Sequence, residues 1–76
     1  MNKLRRKTLF RASGLIETAL SLVQDVKDEE YDCMINFPEN LQNSERYELM
    51  ESAVDNLEDV LSSLNEAKRS ISEATA

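Results

Sequence analysis

The sequence predicts an all-α protein: two long helices in an antiparallel hairpin, pairing with a second hairpin into a dimeric four-helix bundle. Three observations predict it. Tyr47, Met50, Val54, Leu57, Leu61, Leu64 and Ile71 recur at alternating steps of three and four, and only Lys68 interrupts them. Ahead of them, Leu9, Ile16, Val23, Glu30 and Phe37 share one heptad position, and Ala12, Ala19, Val26 and Cys33 share another. Each series is the apolar stripe of an amphipathic helix. Between them lies a short stretch, Asn36 to Asn43, holding the only proline of the chain. One Gly, no Trp and 5% aromatics suit helices throughout.

The first helix is expected over about residues 2–35. Asn2 is a favoured N-cap type, because its side chain can accept from a free N–H of the first turn. Leu15, Leu20, Leu22 and Met34 widen the stripe. Glu30 is the one polar residue on that seam, expected at its edge and reaching solvent. Gly14 in a helix interior costs about 1 kcal/mol relative to Ala. With Ser13 it marks a candidate bend. Leu4 and Phe10 fall off the seam, so the first dozen residues are a candidate semi-independent arm, or a frayed first turn.

The connection is expected over about residues 36–43. Pro38 disfavours helical geometry at Phe37, and asparagines accept turn conformations. Phe37 and Leu41 are expected to fold back over the end of the core. The second helix is expected over about 44–72. Ser44 is its best N-cap, and Glu45 and Glu48 fall in the first turn, where the helix dipole favours anions. A turn centred near Asn40 sets Val23 against Leu57, Ile16 against Leu64 and Leu9 against Ile71. Similar helix lengths and a short connection make the pair antiparallel.

A single 76-residue domain builds only a marginal core. One cysteine allows no internal disulfide, and with no histidine the usual zinc sets cannot be assembled. Self-association is the remaining stabiliser. The self-association seam is read as Ile16, Val23, Val26, Val54, Leu57, Leu61 and Leu64. Cys33 is read as a buried structural thiol on it, with nothing basic nearby to activate it.

The connection Asn36-Phe37-Pro38-Glu39-Asn40-Leu41-Gln42-Asn43-Ser44-Glu45-Arg46-Tyr47 follows an acidic segment, Asp28 to Asp32, and a basic start, Asn2 to Lys7. In these stretches the chain resembles a group of small uncharacterised helical-hairpin proteins encoded by bacteriophages and prophages. The resemblance implies a phage setting and no particular chemistry.

The net charge of −6 is unevenly spread. Lys3, Arg5, Arg6, Lys7 and Arg11 precede any acid, so the first fourteen residues carry +5 and the rest −11. Asp25, Asp28, Glu29 and Asp32 share one helix face, and Glu48, Glu51, Asp55 and Glu58 form a second row. Such spacings can hold magnesium when the carboxylates point inward. Here both rows lie outside the seam, with no histidine and no Gly-rich loop, so no enzyme and no cofactor are expected. The rows instead offer an acidic surface to a basic protein partner, as an inhibitor that imitates nucleic acid would.

The competing reading is a nucleic-acid-binding pole. An antiparallel hairpin brings Lys68 and Arg69 towards Lys3, Arg5, Arg6, Lys7 and Arg11. Basic residues at a helix start oppose the dipole, which hints at another use for them. Scarce aromatics argue against single-strand stacking. A purely structural bundle is the third reading. No apolar run approaches the ~18 residues of a membrane span, and no apolar stretch follows the basic start as a secretion signal requires. Membrane binding is disfavoured, and a bacterial cytoplasm is the expected setting.

Overall fold

The computed structural model describes all 76 residues. Two helices, α1 (Lys3–Ile35) and α2 (Glu45–Ala74), are joined by a connection containing one 3-10 turn (Glu39–Leu41). They pack antiparallel along their length into a rod of 59 × 15 × 13 Å.

Caps place the helix starts. Asn2 Oδ1 accepts from the Arg5 N–H at 2.8 Å, and Ser44 Oγ accepts from the Tyr47 N–H at 3.3 Å. Each satisfies one donor that the first turn leaves free. At the end of α1, the Asn36 side-chain amide and its backbone N–H both donate to the Asp32 carbonyl. Pro38, at φ −54° and ψ 131°, turns the chain away, and Leu41 N–H then closes on the Pro38 carbonyl at 2.9 Å. Thr75 ends α2 by donating its backbone N–H and hydroxyl to the Ile71 carbonyl.

On α2 the packed residues are the expected ones. Tyr47, Met50, Val54, Leu57, Leu64, Lys68 and Ile71 are half-buried and Leu61 is buried. On α1 the phase differs from the sequence reading. The packed series runs Leu9, Ser13, Ile16, Leu20, Val23, Lys27, Glu30 and Met34. It keeps the Leu9–Ile16–Val23 row and takes its second row from the +4 side. Ala12 and Ala19 stay at the seam edge, while Val26 and Cys33 rotate out and are exposed. Cys33 is therefore not a buried thiol. The reason is volume: Leu20 and Met34 fill the groove against α2 better than the alanine row does.

The register also differs. Glu17 pairs with Lys68, Lys27 with Glu58, and Phe37 meets the Tyr47 ring at 5.8 Å between centroids. Val23 is then level with about Leu61, one helical turn beyond Leu57. Phe37 sets this offset by reaching back to Tyr47. Leu41 does not join it and stays 46% exposed. The helix passes unbroken through Gly14, where the Thr18 hydroxyl donates to the Gly14 carbonyl. No bend separates an arm there.

The core is thin. Leu61, at 7% exposure, is the only buried residue. The protein exposes 5855 Å², whereas a compact monomer of its mass exposes about 4,700 Å². Of the seven residues read as a self-association seam, six (Ile16, Val23, Val54, Leu57, Leu61 and Leu64) are taken up inside the hairpin. Only Val26 stays on the open surface, at 53% exposure.

Candidate functional site

The two helices leave two broad faces, and charge separates them. Two shallow grooves run along one face. One, nearer the connection, is lined by Lys27, Asp28, Tyr31, Val54, Asp55 and Glu58. The other, near the chain ends, is lined by Phe10 and Ser13 from α1 and by Asn65, Lys68, Arg69 and Ser72 among others from α2. Both cross-helix ion pairs lie along this charged face.

The groove near the connection gathers part of the acidic surface. Asp28 comes from one row, and Asp55 and Glu58 come from the other. Helical phase sets Asp25 and Asp32 further round α1, towards its outer edge, and Glu48 likewise on α2. Glu51 stays on the charged face. Glu29 turns towards the opposite face and does not join them. All eight are exposed. No group of three or more acids and thiols stands close enough to hold a metal ion.

One cation lies in this groove. Lys27 extends from the seam to the Glu58 carboxylate. Its pKa is raised above the ordinary 10.5, first by that hydrogen bond, against a lowering by desolvation, with the charges of Glu58 and then Asp28 adding to the rise. Lys27 therefore neutralises Glu58, while Asp25, Asp28, Asp32, Glu48, Glu51 and Asp55 have no ion-pair partner. Asp28 accepts one neutral hydrogen bond, from Gln24 at 2.9 Å.

The basic residues are arranged differently. Phe10 is level with Thr75 at the end of α2. The first two turns of α1 thus overhang the hairpin, and a depression lined by Met1, Leu4, Arg5, Thr8 and Leu9 draws on the start of the chain and takes nothing from α2. Lys3, Arg5, Arg6, Lys7 and Arg11 are exposed and form no ion pair. Helical phase fans them round the axis, so they do not line one face. Lys68 and Arg69 do not join them. Lys68 Nζ holds both Glu17 carboxylate oxygens, at 2.9 and 3.0 Å, and Arg69 is held by Glu66. Both are level with Glu17 or Ile16, more than a helical turn inboard of Arg11.

Sequence reasoning missed Lys27, Glu17 and Tyr31. The signal for the lysines was present. Lys27 stands four residues after Val23, and Lys68 four after Leu64, so each occupies a seam position where an aliphatic residue is expected. A lysine there must carry its ammonium to the edge, where a carboxylate can meet it. Comparison with protein-family models, with curated proteins and with solved structures finds no match. No helix is long and apolar enough to cross a membrane.

Proposed function

We propose that the protein is a non-enzymatic interaction module that binds a basic protein partner through the charged face beside its connection. One observation carries this reading: the only cation in that groove is committed to Glu58, so the surrounding carboxylates present uncompensated negative charge. Opposite charge on a partner would speed and orient encounter, and the contact would weaken with salt. The resemblance to small phage-encoded proteins supports a bacterial cytoplasm as the setting, with a host or phage protein as the target and inhibition as the outcome. The test is capture from bacterial lysate at low and high salt, with wild type beside a variant carrying Asp25→Lys, Asp28→Lys and Asp32→Lys. Wild type retains a basic protein that the variant loses. Identical capture by both sinks the reading.

The overhang supports a second reading, phosphate binding by the first two turns of α1. Its four cations, Lys3, Arg5, Arg6 and Lys7, are unpaired and stand clear of α2, with Arg11 just inboard of them. Filter binding on DNA and RNA separates the two. Reversal of Arg5, Arg6 and Lys7 to Glu abolishes retention if the overhang binds phosphate, and wild-type affinity then falls steeply with salt. Without wild-type retention on either nucleic acid, only the protein-binding reading stands.

A further inference from the structure

The face opposite the grooves carries a second three-four stripe on each helix. On α1 it runs through Ala12, Leu15, Ala19, Leu22 and Val26. On α2 it runs through Leu49, Ala53, Asn56, Val60, Ala67 and Ala74. In both helices this stripe is rotated about a quarter turn from the seam, in the same sense relative to chain direction. Because the helices are antiparallel, both stripes come to the same side of the hairpin. The groove-lining residues confirm the geometry, since they are rotated the opposite way on both helices. Leu15, Leu22 and Leu49 are 65%, 62% and 64% exposed. No charged residue falls in either stripe between positions 12 and 28 or between 49 and 74. Both inter-helix ion pairs, and the acidic rows apart from Glu29, lie off this face.

We infer that this uncharged face is where a second copy of the chain docks, closing a four-helix bundle with both charged faces outward. Area supports it. The surface beyond that of a compact monomer is about 1,100 Å², more than the ~800 Å² per partner of a standard interface. A face 59 Å long and 15 Å wide is large enough to supply it. Shape supports a second copy over an unrelated occupant. Where the α1 half carries its leucines, Leu15 and Leu22, the α2 half level with them offers Ser63, Ala67 and Ser70, so the two fit each other there. A twofold axis along the rod lays α1 of each copy on α2 of the other. Since position 22 is level with position 63, Leu22 then settles beside the second copy's Ser63, between its Val60 and Ala67. Bundles of this kind pack side chains as coiled coils do, at the observed spacing.

The inference does not depend on the acidic groove, and its experiment is separate. Sedimentation equilibrium of the whole chain at tens of micromolar should give twice the 8.7 kDa of one chain. Leu22→Glu places a carboxylate in the apolar interface and should weaken the dimer at least ~100-fold. Ala67→Phe should weaken it by overfilling the site that receives Leu22. Ser21→Glu adds the same charge one residue away, off this face, and should leave the mass unchanged. A wild-type monomer, a trimer or higher species, or a dimer indifferent to either interface substitution overturns the inference. If Leu22→Glu unfolds the chain outright, the wild-type melting temperature must climb with concentration over a hundredfold range. A melting temperature that stays fixed overturns it equally.

Discussion

Helices α1 and α2 obey the same three-four spacing and use it differently. On α2 one stripe is large throughout (Met50, Val54, Leu57, Leu61, Leu64, Ile71) and its quarter-turn neighbour is lighter, half of it alanine (Leu49, Ala53, Asn56, Val60, Ala67, Ala74). The large stripe packs and the lighter one stays outside. On α1 two stripes are of comparable bulk. Leu9, Ile16, Leu20, Val23 and Met34 face α2, while Leu15, Leu22 and Val26 do not. Apolar periodicity therefore identifies stripes, and only contrast in side-chain volume between them identifies the partner. A helix with two such stripes offers a second one to a neighbour, the arrangement that the proposed dimer would use.

The contrast can be tested most strongly at Leu61. Leu61→Ala removes the one buried side chain and should cost about 2–5 kcal/mol. That is a large share of what a small domain holds. Leu20→Ala on α1 should cost less, since Leu20 is only half-buried, and the cost should be present at every protein concentration. Leu22→Ala, two residues on, should lie within about 0.5 kcal/mol of wild type when the protein is dilute, because the side chain touches little in one hairpin. Urea unfolding at low micromolar concentration reads all three. Equal losses for Leu20→Ala and Leu22→Ala would show that α1 packs in a different phase.

The same contrast explains what was legible in the sequence. Two helices and their antiparallel arrangement follow from elements that act locally: the Asn2 and Ser44 caps, Pro38, and an unambiguous stripe on α2. Phase on α1 was not legible, because Val26 and Cys33 continue the Ala12–Ala19 row as well as Leu20 and Met34 build the other. Register was not legible either. It depends on which side chains meet across the connection, and Phe37 reaching Tyr47 shifts the pairing by about one helical turn. Of the candidate site, the identities of the acids were legible. Their division was not, since it follows from the phase: Asp28, Asp55 and Glu58 share a groove, and Glu29 leaves it. The union of Lys68 and Arg69 with the basic start failed for the same reason, since the true register sets them inboard beside Glu17 and Ile16.

A smaller effect separates the helices at glycine. α1 contains the only glycine of the chain and α2 contains none. Gly14 is exposed and helical, and a Cβ built there meets nothing within 4 Å. Gly14→Ala should stabilise by about 0.5–1 kcal/mol, through restricted freedom of the unfolded chain and better helix propensity. Thermal unfolding should show a rise of a few degrees. An unchanged or lowered midpoint would mean that α1 bends at Gly14 in solution, restoring the semi-independent arm.

The smallest effect concerns the lysine that each helix places on the seam. Lys27 on α1 and Lys68 on α2 both reach the charged face to meet a glutamate of the other helix. Such pairs, with one or both partners well exposed, contribute little near neutral pH and less at high salt. Lys27 nevertheless leaves a signature in alkali. Its pKa in the folded protein lies above 10.5, foremost through the hydrogen bond to Glu58. Below the unfolded value the ammonium is charged in both states, and its contribution to stability is fully present. As pH rises through the folded value the proton leaves and that contribution disappears. The difference in unfolding free energy between wild type and Lys27→Met should therefore be constant from pH 7 to about 10 and shift against wild type above it. Taking the difference cancels the other lysines and tyrosines that titrate in the same range. A difference that stays constant through pH 11.5 would show that Lys27 and Glu58 do not meet in solution, and that the charged face is held across its grooves by Glu17 and Lys68 alone.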